Sequence, residues 1–176
     1  MKQQDPLLNR NIIKRLIKEK NLISDYINLD IQLTPNGFDF TCRKVFKFSS
    51  CGALDFSNSE RVICDEKEVK SRKQKPRDKY GWWDLKKGVY KIRSNETINL
   101  PNDLVAVAFP RSSLLRNGVF TQTGVWDAGF KGRSEFILVV ENKNGIRVKQ
   151  NARIIQVIFF KVNKTNKGYN GIYQNL

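Results

Sequence analysis

The sequence predicts a mainly β domain, a distorted barrel of the jelly-roll kind with one leading helix. From Ile27 onward, short stretches of alternating apolar and polar residues are separated by turn residues, a pattern typical of β-strands. Before that point, residues 9–21 carry apolar side chains at helical spacing. A chain of 176 residues can bury the core of one domain, and it contains no internal repeat. We therefore expect a single domain over residues 1–176.

Residues 9–21 predict an amphipathic helix within an N-terminal helical segment, residues 1–26. Its apolar face consists of Ile12, Ile13, Leu16 and Ile17. Asn9 or Asn11 can cap the start, and Asn21 can close the end. Because five basic residues line the other face, we interpret that face as solvated, in preference to a nucleic-acid contact.

Five later stretches predict strands. They combine β-branched and aromatic residues with polar ones, and Asn144 with Gly145 suits a tight turn between two of them. The predicted strands are residues 42–48, 88–92, 104–109, 135–141 and 152–160. An all-β barrel preceded by a helix follows from this order.

Residues 65–80 form a polar insert that is dense in charge and contains Pro76. We expect a mobile surface loop, which could alternatively reach over a bound phosphate tail or contact nucleic acid. Trp82 and Trp83 follow the insert. Because adjacent side chains on a strand point to opposite faces, one tryptophan is expected in the core and the other against a neighbouring subunit or a base.

The composition excludes several kinds of site. Histidine is absent, which rules out Ser-His-Asp triads and His-containing zinc-deaminase sites, so a general base must be a carboxylate, lysine or tyrosine. Cys42, Cys51 and Cys64 lack the Cys-x-x-Cys spacing of zinc sites and are expected to be reduced. We find no apolar run long enough to span a bilayer, and residues 1–6 do not resemble a secretory signal, so we expect a cytoplasmic protein without a membrane partner.

The charge balance indicates a polyanionic partner. The chain has 32 basic and 17 acidic residues, and its net charge of +15 attracts polyanions. A nucleotide triphosphate, RNA and DNA all satisfy this condition, so charge alone does not choose among them.

Two segments contain the side chains best suited to chemistry. Residues 109–116 read Phe-Pro-Arg-Ser-Ser-Leu-Leu-Arg, where an arginine fork and serine hydroxyls can bind phosphate oxygens. Residues 124–132 read Gly-Val-Trp-Asp-Ala-Gly-Phe-Lys-Gly, where glycines let a ligand approach the backbone beside Asp127. The first segment suits a polyphosphate, and an aspartate that can hold a water suits hydrolysis.

At these residues the chain resembles the dCTP deaminase/dUTPase superfamily, and most closely its archaeal-type dUTP pyrophosphatase branch. Four family motifs and a closing segment, residues 164–176, occur in order. The motifs are residues 36–40, 110–114, 124–132 and 153–156, and residues 168–174 carry the similar part of the tail. The resemblance implies a dUTPase-like barrel that hydrolyses dUTP to dUMP and pyrophosphate, limiting uracil in DNA and supplying dUMP. It also implies Mg²⁺ held through the substrate phosphates and a homotrimer with sites between subunits.

The resemblance further implies roles for individual residues. Asp127 is the expected catalytic base, with a turn-bracing role as the alternative. Phe130 is expected under the deoxyribose, and backbone groups of residues 119–126 are expected to contact uracil. For Arg116, Ser113 and Phe130 the alternatives are an ion pair, a strand-end hydrogen bond and a core aromatic. The other expected nucleotide-binding residues are Arg111, Ser112, Gly124, Val125, Gln156, Tyr169, Tyr173 and Gln174.

Two other functions compete with this one. The deaminases of the family carry a catalytic glutamate five residues after the glycine that ends the third motif, and Ile137 occupies that position here. Glu135 lies about 7 Å away on the same side of the strand, so a shifted alignment would give a dCTP deaminase, alone or bifunctional. The charge and the insert favour a non-catalytic nucleic-acid-binding or regulatory protein, but the intact Arg, Ser and Asp motifs argue against it.

Overall fold

The structure is a computed structural model that describes residues 6–175, and it confirms a mainly β fold with one long N-terminal helix. The helices are α1 (Arg10–Lys20), α2 (Leu29–Gln32) and α3 (Ser112–Leu115). The strands are β1 (Ile23–Ser24), β2 (Leu33–Thr34), β3 (Gly37–Phe48), β4 (Glu66–Val69), β5 (Trp82–Leu85), β6 (Gly88–Asn99), β7 (Leu104–Pro110), β8 (Val119–Gln122), β9 (Lys131–Val140), β10 (Ile146–Lys149) and β11 (Arg153–Lys161).

Six strands form the body of an antiparallel sheet that curls into a nearly closed barrel. Their order is β7-β11-β3-β6-β9-β8. The short strands β2 and β4 pair with β3, and β1 pairs with β6. Strands β5 and β10 form a separate two-stranded sheet. Because β11 lies between β3 and β7, residues from distant parts of the chain become neighbours there.

Helix α1 begins and ends as its sequence predicts. The Asn9 side chain accepts hydrogen bonds from the backbone N–H groups of Asn11 and Ile12, both at 3.1 Å. Asn21 closes the helix in the left-handed conformation, with φ of 53°. Ile13 and Ile17 are buried in the core, whereas much of the basic face is exposed. Among the described residues, no helix is both long and apolar enough to cross a membrane.

Alternating burial along β6 and β9 separates two faces of the sheet. The inward face of the two strands carries Tyr90, Ile92, Ile98, Phe136, Leu138 and Val140. The outward face is half-buried and carries Lys91, Arg93, Arg133, Glu135 and Ile137. This period of two decides which side chains of β9 meet solvent and which meet the core.

A buried polar network anchors β3 against β6 and α2. The Glu96 carboxylate is fully buried and accepts hydrogen bonds from the Thr41 backbone N–H at 2.8 Å and the Gln32 amide at 2.7 Å. Burial raises the pKa of Glu96, and these hydrogen bonds oppose the rise. The Gln32 amide also donates to the backbone carbonyl of Asp39 at 2.8 Å, so the network helps to fix the position of that residue.

The structure differs from the sequence prediction in residues 65–80, which are not a single loop. Strand β4 pairs with residues 45–48 of β3, and Arg72 forms an isolated bridge to Trp82. The two tryptophans point to opposite faces as predicted, with Trp83 buried and Trp82 half-buried. The sequence prediction missed strand β4 because the charge of this segment is typical of a solvated loop. In the structure, Glu66 and Glu68 form ion pairs with lysines of β6 and β3.

Gly37 occupies a position where an added side chain would collide with β11. A Cβ atom there would lie 2.4 Å from the backbone carbonyl oxygen of Val157 and 3.1 Å from the Gln156 side chain. We predict that Gly37→Ala lowers the free energy of unfolding by about 1–3 kcal/mol, because the strands must separate to admit the methyl group. Urea denaturation measures this loss.

Gly124→Ala is the matched control, because a Cβ atom at Gly124 would meet no atom within 4 Å. Its free energy of unfolding should stay within about 0.5 kcal/mol of the parent value. Equal stability of the two variants would contradict the close approach of β3 and β11.

Candidate active site

A cavity of about 300 Å³ lies between the segment after β8, the start of β9 and the C-terminal tail. Such a volume is at the lower end for small-molecule sites. Its lining residues are Gly124, Val125, Trp126, Phe130, Arg133, Ser134, Glu135, Tyr169 and Tyr173. We call it the aromatic cavity. Five of the residues predicted to bind nucleotide line it: Gly124, Val125, Phe130, Tyr169 and Tyr173.

A tight turn holds Asp127 beside this cavity. The Phe130 N–H donates to the Asp127 backbone carbonyl at 3.0 Å, and Gly129 has a φ of 82°, as the third position of a type II turn requires. The Asp127 side chain is exposed and forms no hydrogen bond or ion pair with residues 6–175. Its backbone, not its carboxylate, braces the turn, so the carboxylate is available to a ligand.

The C-terminal tail packs on the same turn. The Tyr169 ring meets Phe130 edge-on, with ring centroids 5.3 Å apart and an interplanar angle of 72°. The Gln174 side chain donates to the Gly129 carbonyl at 3.0 Å and accepts from the Lys131 N–H at 2.9 Å. Hydrogen bonds and a ring contact therefore hold the tail as one wall of the aromatic cavity.

Arg111 does not line the aromatic cavity and instead contacts a buried carboxylate. Its Nε atom lies 3.0 Å from Oδ2 of Asp39, and Nη1 of Arg153 lies 3.1 Å from the same oxygen. Burial raises the pKa of Asp39, and the positive charges of the two arginines oppose that rise. The other oxygen, Oδ1, is buried and has no hydrogen-bond partner in the described part of the chain.

Asp39 and Arg153 were part of the first and fourth motifs, but the sequence did not identify them as site residues. The sequence contained only a glycine and an aspartate on one strand and an arginine on another, with nothing to show that the aspartate and the arginine meet. Their contact depends on the pairing of β11 with β3, which the sequence alone does not show. We call Asp39, Arg111 and Arg153, with the hydroxyls of Ser112 and Ser113, the arginine site.

The remaining predicted residues lie near the arginine site rather than the cavity. Ser112 and Ser113 are at the solvent-facing start of α3, and the exposed Arg116 donates to the Ser112 carbonyl at 3.3 Å. Gln156 donates to the Thr34 hydroxyl at 2.9 Å and so braces β11 against β2. None of these four residues lines the aromatic cavity, so the arginine site and the cavity are separate within one chain.

Glu135 lines the aromatic cavity but is bound by two cations. Lys91 Nζ and Arg93 Nε each lie 2.6 Å from one of its carboxylate oxygens. Burial alone raises the pKa of Glu135, but the hydrogen bonds and charges of Lys91 and Arg93 outweigh this effect and hold it below its ordinary value. A carboxylate stabilised in its ionised form is poorly suited to carry a proton. Ile137 follows on the same face of β9.

The chain is similar to known proteins along most of its length. A family model described as dCTP deaminase-like matches residues 7–162. The probable deoxyuridine 5′-triphosphate nucleotidohydrolase of Archaeoglobus fulgidus is 44% identical over 96% of this chain and 95% of its own length. Its counterpart in Methanosarcina mazei is 42% identical over 96% of both chains.

Among solved structures, the crystal structure of 2′-deoxycytidine 5′-triphosphate deaminase from Agrobacterium tumefaciens matches with a TM-score of 0.65. The match covers 92% of this chain at 19% identity, and this chain spans 49% of the length of that structure. At this identity the similarity supports the fold alone.

The contacts of Gln174 predict how firmly the tail is held. Gln174→Ala removes two hydrogen bonds to the backbone, each worth about 0.5–1.5 kcal/mol, so the tail should detach more often. We predict that trypsin cleaves after Lys167 about fivefold or more faster than in the parent protein. Mass spectrometry of the released residues 168–176 measures the rate.

Asn170→Ala is the control for tail cleavage, because the Asn170 side chain is exposed and unpaired among residues 6–175. Cleavage of this variant at the parent rate is expected. If both variants were cleaved equally fast, the Gln174 contacts would not hold the tail.

Proposed function

The chain belongs to the dCTP deaminase-like family, and we propose that it hydrolyses dUTP to dUMP and pyrophosphate. Relatives at 42–44% identity bear the name of this activity. The observation that carries the proposal is the contrast between two carboxylates of the site. Asp127 is exposed and free of partners in the described chain, whereas Glu135 is bound by Lys91 and Arg93.

Asp127 is the proposed general base. It orients a water molecule toward the α-phosphorus and accepts its proton as the water oxygen bonds to phosphorus. The bond from the α-phosphorus to the bridging oxygen breaks, and pyrophosphate leaves with the electron pair. No proton needs to reach the base of the nucleotide in this reaction. The pairing of Glu135 with Lys91 and Arg93 therefore does not impede the hydrolysis.

The aromatic cavity is the proposed nucleoside site. Phe130 is 8% exposed, lines this cavity and packs edge-on against Tyr169, and the deoxyribose is proposed to lie on its ring. Backbone groups of residues 119–126 are proposed to pair with O4, N3–H and O2 of uracil. A base with an ill-matched edge would leave a buried group unpaired, at a cost of about 1–3 kcal/mol.

The arginine site is the proposed triphosphate site. Arg111 supplies a guanidinium fork, and Ser112 and Ser113 supply hydroxyl donors. Because the side chains of Ser112, Ser113 and Asp127 are exposed and the arginine site does not line the cavity of its own chain, we propose that a homotrimer joins the arginine site of one subunit to the aromatic cavity of another.

Mg²⁺ is the proposed cofactor, held through the substrate phosphates. The acidic side chain of the arginine site, Asp39, is already paired with Arg111 and Arg153, so the substrate phosphates rather than this carboxylate would supply the oxygen ligands of the ion. When bound, the ion neutralises charge on the phosphate oxygens.

Replacing the proposed base tests the function. Asp127→Asn keeps the size of the side chain but cannot accept the proton, so we predict a fall in kcat of at least ~10²-fold on dUTP with KM little changed. Pyrophosphate release measures the rate. Asp65→Asn removes the same charge from an exposed residue outside the site and should retain parent activity. If Asp127→Asn retained parent activity as well, Asp127 would not be the base.

Glu135 distinguishes hydrolysis from deamination. We predict that Glu135→Gln hydrolyses dUTP within about tenfold of the parent rate, a change of ~1.4 kcal/mol or less in the barrier. The measurement is dUMP formation by the two proteins at saturating dUTP. A fall much beyond tenfold would mean that Glu135 contacts the reacting atoms, contrary to its pairing with Lys91 and Arg93.

A further inference from the structure

A basic surface lies outside both halves of the proposed site. It consists of residues 70–81, which we call the basic arm, and of the adjacent two-stranded sheet of β5 and β10. Residues 70–87 contain eight lysines and arginines and two aspartates. The exposed cations of the arm and β10 are Lys70, Arg72, Lys73, Lys75, Arg77, Lys79, Arg147 and Lys149.

Most of this charge is not neutralised by the protein. Of the two aspartates, Asp84 pairs with Arg147 at 2.7 Å, and Asp78 accepts a hydrogen bond from the Lys75 backbone N–H at 2.8 Å. Four side chains of the arm form no ion pair or hydrogen bond with the described residues: Arg72, Lys73, Lys75 and Arg77. Like charges held this close repel one another, and a polyanion relieves the repulsion.

The arm is pinned to the β5–β10 sheet. Arg72 and Trp82 exchange two backbone hydrogen bonds, at 2.8 and 2.9 Å. The Trp83 indole N–H donates to the Val69 carbonyl at 2.7 Å, and the Gly81 N–H donates to the Gln150 side chain at 2.9 Å. The backbone that carries the cations is therefore attached to the sheet at both ends of the arm, at Arg72 and Gly81.

Aromatic rings lie among the cations. The Arg147 guanidinium and the Lys149 ammonium lie 5.0 and 5.3 Å from the centre of the half-buried Trp82 ring, and Lys79 lies 5.3 Å from the Tyr80 ring. Cations that follow a phosphate backbone, combined with rings that stack on unpaired bases, are the features that bind single strands. In a duplex the faces of the bases are already stacked, so the rings gain nothing there.

We propose that the basic arm and the β5–β10 sheet bind single-stranded nucleic acid, a function separate from hydrolysis of free nucleotide. No residue of the basic arm, β5 or β10 lines the aromatic cavity. The surface proposed for the single strand is therefore distinct from the cavity proposed for the nucleoside.

Fluorescence anisotropy with a labelled twenty-residue oligothymidylate tests this proposal. Between 50 and 200 mM salt, log K should fall linearly with log salt, by about 0.7 for each phosphate contacted. The triple variant Arg72→Gln, Lys73→Gln and Lys75→Gln should bind at least tenfold more weakly, with a slope less negative by about 2. Trp82→Ala should bind the single strand about fivefold or more weakly, because a stacking partner is lost.

The matched control removes the same charge from the exposed face of α1, as Arg15→Gln, Lys18→Gln and Lys20→Gln, and should bind within about twofold of the parent. Every variant should retain parent dUTP turnover, which verifies folding. Equal weakening by the α1 control would assign binding to net charge and overturn the proposal. The proposal would also be overturned if the parent protein bound a duplex as tightly as the single strand and Trp82→Ala weakened neither interaction. It would equally be overturned if the parent protein did not bind the single strand at 50 mM salt.

Discussion

The buried carboxylate of Asp39 joins three distant segments of this chain. It comes from β3, Arg111 follows β7, and Arg153 begins β11, the strand between them. An ionised carboxylate taken out of water without partners costs several kcal/mol, and two guanidiniums within 3.1 Å offset that cost. The position of α3 and its hydroxyls depends on this contact. Loss of either arginine would leave the buried carboxylate with a single cationic partner, so each arginine contributes to stability.

The second constraint is the alternation of β9. One face of this strand supplies core residues such as Phe136, and the other presents Glu135 and Ile137 to the half-buried side of the sheet. On that side β6 places Lys91 and Arg93 opposite, so the glutamate is a charge-paired residue. The chemistry of the site is therefore limited by strand register. The carboxylate left available to a water is Asp127, on the turn before the strand.

Local signals in the sequence predicted the elements they control. The asparagines around α1 and the period-two strands behave as expected because caps and alternation act over a few residues. Contacts between distant residues were not predictable in the same way. Arg153 and Asp39 are 114 positions apart in the sequence. Strand β4 was not predicted because its glutamates suggested a solvated loop, and their cationic partners lie on other strands. The separation of the arginine site from the aromatic cavity within one chain likewise required the three-dimensional arrangement.

A product assay on dUTP and dCTP, run side by side with Mg²⁺ and resolving dUMP, pyrophosphate and ammonia, tests most directly whether this site cleaves the phosphate chain and leaves the base intact. The free Asp127 and the cation-bound Glu135 predict dUMP and pyrophosphate in equal amounts from dUTP and no ammonia from dCTP. Release of ammonia from dCTP, or dUTP left unhydrolysed, would contradict this assignment of the two carboxylates.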